Sequence, residues 1–181
     1  MKQRKRGVTV LELIISMGIL AILTTVIFSV FLSNHKNLSR TEVKSELQQE
    51  AQQALEKISK SGMQAERIYS ISNTENLIDK NTANASINNL SFVTDGGERF
   101  TFSFNSLTKE LKYTDSAVAD KLLSSNVRDF RASIINGTAA TNYRNCTGLK
   151  LTLVLSKRAA GSDVIDYEVT TNVYFRNNTG R

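Results

Sequence analysis

The sequence predicts an α+β protein in which one long N-terminal helix, part membrane-spanning and part amphipathic, packs on a C-terminal antiparallel β domain. Three observations predict it. Val8 to Leu32 is an apolar run of 25 residues with one charge, Glu12. Apolar residues then recur at helical spacing to about Ser61. After that the chain alternates apolar and polar residues with period two between clusters of Gly, Asn, Asp and Ser. A length of 181 residues leaves room for one globular domain beyond the helix.

The apolar run comes first. At about 1.5 Å per residue it can cross a hydrocarbon core about 30 Å thick. Lys2, Arg4, Lys5 and Arg6 precede it, and the positive-inside rule then keeps the amino end cytoplasmic and sends the chain after Leu32 outward. Those four residues also carry most of the net charge of +6, leaving +2 on everything after Gly7, a weak attraction for a polyanion. A secretory signal peptide has the same general layout. It would need a shorter apolar stretch ending in small residues, whereas this one ends in Val30, Phe31, Leu32, Ser33 and Asn34. A plain membrane anchor leaves Glu12 without a partner in lipid, where an ionisable side chain costs several kcal/mol.

The second element continues the first. Leu47, Ala51, Ala54, Leu55, Ile58, Gly62, Ala65 and Ile68 recur at intervals of three and four, separated by Glu, Gln and Lys. No strict heptad is sustained, which disfavours a coiled coil, and the small residues suit a sheet laid against the helix. Residues 33–62 are therefore expected as an amphipathic continuation, breaking near Ser61-Gly62. Gly18 with Thr24 and Thr25 is the place in the apolar half where local loosening is expected, since the chain has no Pro.

Residues 63–181 are expected to form the β domain. Ile68–Ser72 reads as a short strand, and Asn73–Asn89 as an irregular, mobile stretch. Leu90–Thr94 and Arg99–Asn105 form a hairpin about the turn Asp95-Gly96-Gly97-Glu98, and Lys109–Thr114 extends it. Later strands start at Leu122 (LLSSNVRDFRASII, read as one strand), Leu149 and Val164. Loops are expected at Asn136–Gly148 and Lys157–Asp163. Phe100, Phe102 and Phe104, and Tyr167, Val169, Thr171, Val173 and Phe175, read as core-facing stripes. The strands make two small antiparallel sheets or one bent sheet.

The stretch Arg6-Gly7-Val8-Thr9-Val10-Leu11-Glu12-Leu13 carries a resemblance. A short basic leader, a Gly, Thr two positions later, Glu five positions later and a long apolar run together resemble the class III signal of type IV prepilins and pseudopilins. The resemblance covers about the first sixty residues. It implies that residues 1–7 are a leader cut between Gly7 and Val8 by a prepilin peptidase, which also methylates the new terminal amine of Val8. It implies that residues 8–32 stay in the membrane and later form a filament core. Glu12 would then pair with the terminal amine of a neighbouring subunit during assembly. The implied partners are the prepilin peptidase, other pilin or pseudopilin subunits, an inner-membrane assembly platform and membrane lipid. Many pilins have Phe at the first mature position and Pro in the helix, whereas this chain has Val8 and no Pro. The segments LLSSNVRDF and VYFRNN resemble the J-type pseudopilin of type II secretion and the W-type minor pilins, which implies a minor subunit.

Other candidate chemistry is sparse. Asp95 and Glu98 flank Gly96-Gly97; two such carboxylates could bind Ca²⁺, but in a hairpin they read as a solvated turn, and no metal is expected there. One Cys, Cys146, and one His, His35, argue against a disulfide within the chain, a cysteine-built zinc site and most His-based catalytic sites. No cofactor and no catalytic residue is expected, and the chain reads as no enzyme. From Asp120 onward the balance is +4, carried by residues that include Arg128, Arg131, Arg144, Lys150, Lys157 and Arg158. That makes nucleic acid a possible partner without supporting it. The leading reading is a filament subunit of a pilus, secretion pseudopilus or competence filament. The alternatives are a tip adhesin or DNA-uptake module on the same scaffold, and a membrane-anchored receptor or enzyme.

Overall fold

The computed structural model describes residues 9–73, 76–80, 83–135, 142–160 and 163–175. It is an α+β fold: one long helix packed on an antiparallel β domain. The helix, α1, spans Val10–Gln64 without interruption, passing through Gly18, Thr24 and Thr25 in regular helical form. No loosening is present at those residues. Thr24 and Thr25 turn their hydroxyls back to the carbonyls of Leu20 (2.7 Å) and Ala21 (2.9 Å), which satisfies them within the helix.

Helix burial starts at Val43 and continues through Leu47, Ala51, Ala54, Leu55, Ile58, Ser61 and Gly62, close to the periodic set read from the sequence. The helix ends at Gln64, two residues past the break expected near Ser61-Gly62. Gly62 serves packing instead. A Cβ on it would lie 2.2 Å from Val173 Cγ1 and 3.6 Å from Phe92 Cζ, so glycine lets helix and sheet approach where a side chain would collide. The helix stops at Ala65, whose extended backbone and the Glu66 N–H bond to Val93 O (2.9 Å) turn the chain into a sheet.

The strands are β1 (Arg67–Ser72), β2 (Ala85–Ser86), β3 (Asn89–Val93), β4 (Arg99–Asn105), β5 (Glu110–Thr114), β6 (Lys121–Ser124), β7 (Val127–Ile134), β8 (Gly148–Arg158) and β9 (Val164–Tyr174). They form two antiparallel sheets, ordered β1-β3-β4-β5-β6 and β2-β7-β8-β9. The hairpin turn at Asp95–Glu98 forms as expected, with Gly97 at φ +80°, a value that favours glycine. Phe92 joins the two sheets, with ring centroids 6.1 Å from Phe102 and 5.9 Å from Phe175.

Three expectations need correction. The run from Leu122 is two strands rather than one, and the halves lie in different sheets. The chain crosses over at Ser125-Asn126, where Glu50 of α1 accepts the Ser125 N–H (2.9 Å) and the Asn126 side-chain amide (2.8 Å). Of the stretch Asn73–Asn89, residues 74–75 and 81–82 lie outside the described residues; the described part contains β2 and buries Leu77, Ile78 and Ile87. In the β9 stripe only Val173 and Phe175 are buried, while Tyr167, Val169 and Thr171 are half-buried because β9 is an edge strand. In the β4 stripe, Phe102 and Phe104 are buried and Phe100 is half-buried.

The second sheet lies along the helix. Asp163, just before β9, pairs with Arg40, and Val173 near its end sits at Gly62. Twenty-two helix residues and ten strand residues both span about 33 Å, so β9 runs beside α1 in the same direction over the whole contact. Lys157 to Glu46 and Ala160 N–H to Ser39 Oγ (3.1 Å) fasten the β8–β9 tip to the lower helix.

Candidate functional site

The amino end of α1 is built as a capping box. Thr9 is the N-cap with extended backbone; its hydroxyl accepts the Glu12 N–H (3.3 Å), and Glu12 Oε2 accepts the Thr9 backbone N–H (3.1 Å). A further bond joins the Thr9 hydroxyl to the same carboxylate oxygen (3.2 Å). Glu12 thus lies in the first turn, where the positive end of the helix dipole favours a carboxylate. Sequence reasoning placed Thr9 in the motif and missed its role as the partner of Glu12; the T-x-x-E spacing was the available signal. Gly7 and Val8 lie outside the described residues.

Above the cap, Val10–Leu32 is exposed along its entire length and all round the helix. Its large apolar side chains, from Val10 and Leu11 to Phe31 and Leu32, are exposed. The helix is long and apolar enough to cross a membrane. The hydroxyls in this stretch are satisfied internally: Ser16 donates to Glu12 O (2.7 Å) and Ser29 to Val26 O (2.8 Å), as do Thr24 and Thr25 in the bonds already given. Glu12 is the one ionisable group in the span.

The family model of the prokaryotic N-terminal methylation motif matches residues 2–28. The match supports a type IV pilin-like protein. It covers the basic leader, the capping box and most of the apolar helix. No curated protein and no solved structure matches the chain. In a pilin-like protein the class III signal implies processing by a prepilin peptidase and assembly with other pilins, and the apolar helix implies membrane anchoring.

Among the described residues, the rest of the chain offers little reactive chemistry. Among the described residues, no three His, Cys, Asp or Glu side chains come together as metal ligands. Cys146 is buried with its Sγ–H donating to Tyr143 O (3.2 Å), and desolvation pushes its thiol up to about 11, away from the reactive thiolate. Burial and the neighbouring Asp115 carboxylate, which accepts its hydroxyl proton at 2.6 Å, hold the Tyr113 phenol up at about 12. Among the described residues, four of the basic side chains of the last third form ion pairs. Arg128 pairs with Asp166, Arg131 with Asp129 and Glu168, Arg144 with Asp79, and Lys157 with Glu46.

Proposed function

We propose that the chain is a structural subunit, of the minor class, of a type IV pilus or secretion-type pseudopilus. It is made as a prepilin with its amino end cytoplasmic, cut between Gly7 and Val8, and methylated on Val8. It is held in the cytoplasmic membrane by residues 8–32 with its β domain outside, then drawn by an assembly platform into a filament through that helix. Residues 1–7 act as leader, residues 33–62 as the arm that carries the domain, and residues 63–181 as the domain displayed. The role is structural, with no catalytic step of its own.

One observation carries this reading. Glu12 is the lone charge of the exposed, lipid-length stretch Val10–Leu32, five residues after Gly7, and among the described residues its carboxylate bonds to its own N-cap Thr9. Bringing the cationic amine of a neighbour's Val8 to Glu12 stabilises two charges that are each costly in a low-dielectric filament core. Glu12→Ala removes that pairing and leaves the cut site intact. Cleavage, read by intact mass, should be normal, while abundance in the filament fraction falls sharply. Normal incorporation of the Ala variant would mean that recruitment runs through the β domain, and a chain that keeps Met1 in the assembled form would end the prepilin reading.

A further inference from the structure

We propose that the outer edge of β9 is a docking edge for an extended strand of a different pilin-like subunit in the same filament, a partner assignment that rests on the filament reading above. The phase of the ladder identifies the groups involved. Phe175 N–H bonds Thr147 O (3.0 Å) and Ala159 N–H bonds Asp163 O (2.9 Å), so the odd-numbered residues of β9 face β8. The even-numbered ones, Val164, Asp166, Glu168, Thr170, Asn172 and Tyr174, turn their N–H and C=O groups to the open side. Among the described residues no backbone hydrogen bond reaches those groups.

Edges of this kind are normally blunted by Pro, Lys, bulges, shortness or a covering segment. The other edge strands follow that rule: β2 has two residues, β6 has four, and β1 is flanked by the Leu77 N–H bond to Ile71 O. β9 does not. It has eleven residues with no Pro, Lys or Arg, and its register with β8 is unbroken, whereas the β1–β3, β5–β6 and β7–β8 pairings each contain a shift. Its two charges, Asp166 and Glu168, are held by Arg128 and Arg131 on the far side of β8.

The chemistry of the edge selects its occupant. Open N–H and C=O groups repeating along a strand are complementary to another strand and to little else. Half-buried Ile165, Tyr167 and Val169 border the helix side, which favours apolar residues there in the incoming strand, and on the outer face Asp166 and Glu168 are already neutralised by Arg128 and Arg131, so no net charge on β9 repels it. Because β9 runs along α1, a subunit whose helix packs parallel to this one presents strands along the same axis.

Asn172→Pro deletes one outward N–H and leaves every bond to β8 in place, and Asn172→Ala is its control. In the native filament fraction the Pro variant should fall at least about fivefold while the Ala variant matches the native chain, with equal melting temperatures. A benzophenone side chain at position 172 should crosslink to a different pilin-like subunit. Equal incorporation of the Pro variant, or no crosslink in assembled material, overturns the docking edge; a crosslink to a second copy of this chain overturns the partner assigned. Absence of the native chain from the filament fraction brings down the filament reading and this inference with it. Should the Pro variant melt lower, amide exchange of the native chain decides. Glu168, Thr170 and Asn172 should exchange about tenfold more slowly assembled than free, and equal exchange overturns the proposal.

Discussion

At the residue scale, Gly62 shows how one sequence signal can serve two physical ends. A glycine after an amphipathic run reads equally as a helix stop or as a close contact, and only the position of Val173 decides between them. The small face formed by Ala51, Ala54 and Gly62 was legible because its spacing follows the helical period; the partner strand more than a hundred residues away was not. Gly62→Ala should destabilise the domain by about 1–3 kcal/mol through overpacking, despite the better helix propensity of Ala. Val173→Ala combined with it should recover part of that loss, giving a favourable coupling energy in denaturant titrations of the four-member cycle. Cys146 makes a second residue-level prediction. With its folded pKa raised to about 11, an unfolded chain ionises the thiol first as pH rises. This contribution is therefore fully present below about pH 8.5 and is lost as pH climbs toward 11. Iodoacetamide labelling at pH 8 should be far slower for the folded chain than for the chain in guanidinium.

Elements differ in how much of them lies in local sequence. The hairpin around Asp95–Glu98 was readable because its turn residues and alternation agree, and Arg99–Asn105 forms the expected strand. The crossover inside the run from Leu122 was not. Ser124, Ser125 and Asn126 interrupt it with turn-prone residues, but whether a strand bends or continues depends on Glu50, which lies on another element. The same long-range dependence left β9 half-covered: period two assigns a face, while sheet order decides whether that face meets a neighbour on both sides. Glu50→Ala should cost about 1–3 kcal/mol, because the Ser125 N–H and the Asn126 amide lose their acceptor. Glu56→Ala, which removes only an exposed pair with Lys60, should be nearly neutral. Thermal melts of the two variants side by side measure the difference.

Across the whole molecule, the helix divides into a part that contributes nothing to the core and a part that is indispensable to it. No residue before Val43 in α1 is buried. A chain lacking the first 33 residues should therefore fold as a soluble, cooperative unit, and its melting temperature should not change with dithiothreitol because a chain with one cysteine holds no internal disulfide. A reducible shift would reveal a bridge between chains. The amino-terminal motif and the two-part helix were legible in the sequence because lipid length and a lone Glu are local facts, whereas the pairing of Glu12 with Thr9 became visible only with the cap geometry. The alignment of β9 with α1 over about 33 Å has a mechanical meaning as well. A pull on the β domain along the helix axis loads Arg40–Asp163, Lys157–Glu46 and the Gly62–Val173 seat in shear, all together, instead of peeling them one after another. Tension carried along that axis is shared by the whole seam, so the domain stays on its arm until many contacts fail at once.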